Sequence, residues 1–238
     1  VFSGAPELLP PLDETSGLII SSLYASITTF ELERDSNLIA VCTYKEDSHG
    51  FQVEATNGGV KTFTDYYFQV EEVLRGQAPE DGILTLRQDG GRVGDVLSND
   101  THRHTFQKEA LYLLFLRKPT TGGGFNTQGE HYYLTHTLDG VYPMGNDVLY
   151  TSGMDMSVAS AQSEMVFSLQ KLREDLESIN QQYPAEVDYA HQQSLENMEE
   201  NVRTGMMTQE ELDEYLEQSK QYATYVTDPP AGYSGSEE

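Results

Sequence analysis

The chain has 238 residues, with 14 basic and 39 acidic side chains giving a net charge of −25, 15 tyrosines, 9 phenylalanines and no tryptophan. A surface this negative repels phosphate backbones and anionic lipid, which argues against nucleic-acid binding; it serves solubility, or attracts cations or a basic partner. The single cysteine, Cys42, excludes an internal disulfide and a cysteine-based zinc site, and no apolar run reaches the ~18 residues of a membrane-spanning helix.

Residues 1–17, "VFSGAPELLPPLDETSG", mix Pro, Gly and Ser without periodicity and read as a linker. They suit a chain lying downstream of a processed leader or a lipid anchor, which places the protein outside the cell or at its surface. "SITTFELERDSN" predicts a short helix with Ile27, Phe30 and Leu32 as its apolar residues. "LIAVCTY" follows as a strand with a continuous apolar run, so Cys42 reads as a buried small side chain. "GFQVEAT" is the next strand, and "NGG" at 57–59 supplies turn chemistry.

In "DYYFQVEEVLRG", residues 65–76, Tyr66, Phe68 and Val70 share one face while Tyr67, Gln69 and Glu71 share the other. Strict alternation would then bury Glu72 and expose Val73. One extra residue at Glu71-Glu72, a β-bulge, returns Val73 to the core and bends the strand as closure of a barrel requires. "ILTLR" (83–87) is a strand, "QDGGRVGDVLSNDTHRHTFQ" carries little pattern, and "ALYLLFL" (110–116) is the most apolar strand and should be central. A Gly-rich loop leads to "HYYLTHT", and "GVYPMGNDVLYT" predicts two short strands joined by a turn at "GN".

From about residue 157 the period changes. Val158, Ala161, Met165, Leu169, Leu172, Leu176 and Ile179 fall at helical spacing and predict an amphipathic helix. Pro184 opens a second helix and Gly205 ends it. "TQEEL" is a capping box on Thr208 and Glu211, starting a third helix with Leu212, Tyr215, Leu216, Ser219 and Tyr222 on one side. "DPPAGYSGSEE" has the composition of a disordered tail. Residues 155–238 hold 4 basic and 18 acidic side chains, so the helical part is the more acidic.

The order of helix, "LIAVCTY", "YYFQVEEVLRG", "ILTLRQDGG" and "KEALYLLFL" resembles netrin-like domains and related secreted or lipid-anchored proteins of Gram-positive bacteria. Val70, Val73, Leu74, Arg75 and Gly76 match the first signature, with Arg in place of Lys. Tyr112, Leu113, Phe115 and Leu116 match the second, with Lys108 where Gly is expected. The resemblance spans about residues 28–145 and implies an OB-like closed antiparallel β-barrel. Tissue inhibitors of metalloproteinases belong to the same broad group and chelate the protease metal through an N-terminal cysteine. This sequence has no such cysteine, so inhibition by that route is not implied.

The sequence holds no P-loop, no His-Glu-x-x-His and no Gly-x-Ser-x-Gly. Ser168 and Lys171 have the spacing of a Ser/Lys acylase but lie in the amphipathic helix without its partner motifs. His102 and His104 alternate near Asp95 and Asp100, a donor set suited to a transition metal or to inert solvent exposure. His131 and His136, five apart on one strand, face opposite sides. Asp89 and Asp95, separated by glycines, offer oxygen ligands for Ca²⁺, though not at EF-hand spacing. Loops as long as 88–108 are usually binding elements or disordered, and Arg87 and Arg92 stand out in a chain so poor in cations.

These readings predict an α+β protein: an OB-like β-barrel over 18–154, C-terminal amphipathic helices over 155–226 and a tail over 227–238. The expected function is a non-catalytic, secreted or surface-tethered binding module without a cofactor. It would recognise a protein or glycan through Arg87, Asp89, Arg92, Asp95, His102 and His104. A metal-dependent hydrolase using the loop 88–108 carboxylates and histidines is one alternative. Self-association through the C-terminal helices is another.

Overall fold

A computed structural model describes residues 17–20, 27–100, 103–120, 125–127, 129–145, 148–149, 167–218 and 222–228. The expected linker up to residue 16, the tail beyond 228, and Val158, Ala161, Met165, Ser219 and His102 lie outside them. The described residues form an α+β protein with four helices and a mainly antiparallel sheet.

Helix α1 (Thr29–Asp35) starts at Thr28, whose hydroxyl accepts from the Glu31 N–H while the Glu31 carboxylate accepts from the Thr28 N–H. It buries Leu32 and leaves Phe30 exposed, edge-on to Tyr183. Strand β2 (Leu38–Asp47) follows and lies between β4 (Val60–Arg75) and β8 (Leu111–Arg117). Its apolar run is continuous because both of its faces are covered. Leu38, Ala40, Cys42 and Tyr44 join Tyr66, Phe68, Leu84, Leu86 and Leu114 in one cluster. Ile39 and Val41 join Leu113, Phe115 and Leu32 in another, which helix α2 (Leu169–Gln182) completes with Leu169, Leu172 and Leu176. Burying each such leucine contributes about 2 kcal/mol, so α2 shares a core with the sheet. Cys42 is fully buried, and burial with the Glu71 charge pushes its thiol up to about 12.

Strand β3 (Phe51–Glu54) pairs with β4, and β5 (Ile83–Asp89) pairs with the middle of β4. On the other side, β8 pairs with β9 (Tyr133–Leu134) and β10 (Val141–Gly145). Next come β11 (Val148–Leu149) and β12 (Phe167–Ser168), while β13 (Thr224–Tyr225) brings the chain end back onto β3. These make a ten-stranded sheet. Strand β5 also meets Tyr132: the Arg87 N–H donates to the Tyr132 carbonyl and the Tyr132 N–H donates to the Thr85 carbonyl, each at 2.8 Å, in parallel sense. A second sheet joins β1 (Gly17–Ile20), β7 (Val96–Asp100) and β6 (Gly91–Val93) in that order.

Several expectations need correction. The β4 register does slip at Glu71, between the Val41–Glu72 and Cys42–Val70 pairs, and again at Leu74. Yet Val73 stays 38 % exposed, and it is Leu74 that packs on the α1/α2 cluster. The second slip places Leu74 on that face. Residues 88–108 are not patternless, because β6 and β7 form a hairpin there. "HYYLTHT" supplies only β9 and the Tyr132 bridge, and His136 turns away to pair with Asp139 at 2.8 Å. Phe167 and Ser168 extend to pair with β11, so α2 starts at Leu169. Helix α3 (Tyr189–Arg203) opens at the N-cap Asp188 rather than at Pro184. Tyr222 lies beyond α4 (Gln209–Gln218), whose Thr208–Glu211 capping bonds are present as expected.

The end of β4 explains the "LRG" triplet. Arg75 is 2 % exposed and donates to the Ser36 carbonyl (2.8 Å), Arg34 carbonyl (3.1 Å), Tyr183 carbonyl (2.7 Å) and Asn180 Oδ1 (2.6 Å). One guanidinium thereby satisfies carbonyls at the C-terminal ends of both α1 and α2, where a cation is favourable. Gly76 then turns with φ +81°, and a Cβ there would sit 2.0 Å from the Asn37 carbonyl oxygen. Gly58 has the same φ, and a Cβ there would meet open space. Gly58→Ala should therefore cost about 1 kcal/mol from backbone strain alone. Gly76→Ala should cost about 2–4 kcal/mol, since the backbone must also move. Urea unfolding of the two variants measures the difference.

Candidate functional site

Of the residues singled out from the sequence, only Arg87 and Asp89 lie on β5. Arg87 and Asp89 are two apart and share a face; Gln88, between them, points the other way. Gln88 holds His104: its Oε1 accepts from the His104 N–H (2.8 Å) and its Nε2 donates to the His104 carbonyl (3.2 Å). The His104 ring contacts the Thr137 carbonyl through Nε2. Asp89 pairs with Lys61 at 2.7 Å. Arg92, on β6, and Asp95, in the turn to β7, are exposed, with Val96 beside them 53 % exposed. His102 is outside the described residues, and so is any contact it makes with His104.

Arg87 is the centre of a buried polar cluster. Its Nε and Nη2 donate to the two Asp65 carboxylate oxygens at 2.7 and 2.8 Å, and its Nη1 donates to Thr127 Oγ1 at 2.7 Å. Both side chains of the pair are sealed, at 1 % and 2 % exposure. The register places Asp65 directly opposite Arg87 on β4 and β5. The Phe51 ring lies under the guanidinium at 4.8 Å and Phe63 at 5.8 Å, a cation–π arrangement strengthened by desolvation. Tyr225, on β13, donates to Thr127 Oγ1 at 2.9 Å and so ties the chain end into the cluster. Burial pushes the Asp65 carboxyl up, and the Arg87 hydrogen bonds and charge pull against that push. The two-pronged geometry is that of carboxylate on guanidinium, which keeps the pair ionised.

Two further buried groups lie outside the candidate site residues read from the sequence. His131 is 2 % exposed; its Nδ1 bonds the Gly129 carbonyl at 3.1 Å, and its Nε2 has no partner among the described residues. Burial, then the Arg87 charge, lowers its pKa to about 3, so the ring is neutral at ordinary pH. Glu33, on α1, is 2 % exposed with Oε1 lacking a partner among the described residues. Burial, then the Asp175 charge on α2, raises its pKa to about 7, with Lys171 and Arg75 opposing. The one signal available in the sequence is a charged residue interrupting an otherwise apolar strand, as Asp65 and Arg87 do, since such charges must be paired.

Among the described residues the charged groups of this arrangement are engaged with one another. The Arg87 fork is committed to Asp65 and Thr127, and Lys171, of the Ser168–Lys171 pair, bonds Asp175 at 2.6 Å on the exposed face of α2. Among the described residues no three His, Cys, Asp or Glu side chains come together as metal ligands. In comparisons with known proteins the chain matches no family model, no curated sequence and no solved structure.

The two shifted groups give opposite pH dependences. Glu33 is raised on folding, so its contribution is fully present below about pH 4.5 and is lost as pH rises through about 7. His131 is lowered, so its contribution is present above about pH 6.5 and is lost as pH falls towards 3. Each slope is about 1.4 kcal/mol per pH unit, and they cancel where the windows overlap. Relative to wild type, Glu33→Gln should gain stability as pH rises from 4.5 to 7. His131→Leu should gain it as pH falls from 6.5 towards 3. Urea midpoints measured across that range check both signs.

Proposed function

We propose that the protein is a non-catalytic binding module, secreted or tethered at a cell surface, that recognises a protein or glycan through loops at one end of an OB-like barrel. The carrying observation is how the charged groups of the 87–108 region are used. Arg87, Asp89 and His104 are engaged within the fold, whereas Arg92 and Asp95 are exposed on the β6–β7 hairpin beside Val96. An exposed hairpin carrying a cation, an anion and an apolar side chain on a rigid sheet suits recognition.

The barrel reading has support in the pairings. Strand β2 contacts β4, β4 contacts β5, β5 meets Tyr132 next to β9, β9 contacts β8, and β8 returns to β2. A ring of this kind, antiparallel but for the β5–Tyr132 contact, fits the netrin-like resemblance of "VEEVLRG" and "ALYLLFL". On this reading residues 18–154 are the barrel and 155–226 a helical segment packed on it. A metal-dependent hydrolase on the same loop has less support, because Asp89 and the Gln88-bound His104 belong to opposite faces of β5.

The test compares the full chain with an Arg92→Ser/Asp95→Ser/Val96→Thr variant, whose changes are confined to exposed positions. Both are immobilised and screened against culture-medium protein and a panel of cell-surface glycans. The reading expects a ligand that the wild type holds and the variant releases. A ligand held equally by both would overturn it.

A further inference from the structure

Helix α3 is unusual in that none of its 15 residues is buried. A helix of that length is marginal in isolation and ordinarily depends on packing one apolar face. Helix α3 has such a face: Leu195, Met198 and Val202 recur at spacings of three and four, yet each is only half-buried. Met206, just past the Gly205 turn that ends the helix, is a further apolar side chain and is 75 % exposed. The helix is nonetheless well terminated. Asp188 accepts from the His191 N–H at 2.9 Å, and Thr204 and Gly205 close its C-terminal end with bonds to Glu200 and Val202 carbonyls. Its start is anchored by Asn37, whose Nδ2 donates to the Ala185 carbonyl at 2.8 Å, and by the Tyr183–Tyr189 ring contact at 5.5 Å. The apolar stripe is therefore held in place and only partly covered by the described residues.

Charge decides what could cover it. Residues 186–218, spanning α3 and α4, hold ten carboxylates and a single cation, Arg203, which is itself paired with Glu200. A second copy of so acidic a chain would bring like charges together. A membrane surface bearing anionic lipid is disfavoured for the same reason. A helix with leucine-type residues on one face and lysines or arginines on the other matches both the stripe and its rim. Methionine side chains adapt to varied partners of this class. We propose that the α3–α4 hairpin docks a basic amphipathic helix from a partner protein, with Leu195, Met198, Val202 and Met206 under its apolar face. This surface is separate from the β6–β7 hairpin and does not depend on that reading.

The experiment titrates the full chain into a fluorescein-labelled leucine–lysine peptide of about five helical turns. A permuted peptide of equal composition, with the leucines scattered round the helix, is the control. Fluorescence anisotropy is recorded at roughly physiological ionic strength, so that weak surface attraction is screened. The amphipathic peptide should bind with a roughly micromolar Kd and the permuted one about tenfold more weakly. Met206→Ser should weaken the first about threefold, and Glu196→Lys/Glu199→Lys about tenfold. All three positions are exposed or in a turn, so circular dichroism should show an unchanged fold. Equal binding of the two peptides, or equal binding by wild type and variants, overturns the proposal. Sedimentation velocity gives the remaining outcome: a dimer dissolved by Met206→Ser would assign the stripe to a second copy instead and overturn it as well.

Discussion

Asp65 and Arg87 face each other across β4 and β5 with almost no solvent on either side. A bare charge in that position would be prohibitive, so the pair exists only because both prongs of the guanidinium are met and its remaining Nη1 finds Thr127. Much of this side of the molecule follows from that requirement. Thr127 must be presented by the segment after β8, Tyr225 must come back from the chain end to bond it, and Phe51 and Phe63 must wall the guanidinium off. A buried pair is weak evidence of net stability, since a well-packed apolar substitute can do as well. It is stronger evidence of register, because a one-residue slip of β5 on β4 would strand both charges.

At the C-terminal end of β4 a second arginine does comparable work with carbonyl groups. Arg75 gathers the ends of α1 and α2 at the point where β4 leaves the sheet, and Gly76 lets the chain pass Asn37. Two cations of a strongly acidic chain, Arg75 and Arg87, are thus internal fasteners. The two surfaces proposed for recognition are peripheral: the β6–β7 hairpin and the half-covered face of α3.

The sequence made the central strands legible because burial on both faces of β2 and β8 forces uninterrupted apolar runs, and the α2 stripe because one face meets the sheet. The slip at Glu71 was also readable as a break in alternation, but its consequence was not. A second slip at Leu74 is needed to decide that Leu74, not Val73, turns inward, and that depends on the β2 register. The β6–β7 hairpin was missed because its strands are short, polar and glycine-flanked, with little period to detect. Asp65 was missed as the partner of Arg87 because they are 22 residues apart and only strand pairing makes them neighbours. The burial of His131 and Glu33 was not legible for a related reason: it comes from elements distant in sequence.

The central claim is that Arg87, the most conspicuous candidate ligand-binding residue, is a structural group bound to Asp65. A double-mutant cycle with Asp65→Asn, Arg87→Met and both together, read by urea unfolding, tests it most directly. Each single change should cost about 3–5 kcal/mol by leaving the other group buried and unpaired. The double variant should recover about 2–3 kcal/mol of the summed loss as coupling. Single costs below about 1 kcal/mol that simply add would contradict the account and return Arg87 to the surface as a group free to bind a ligand.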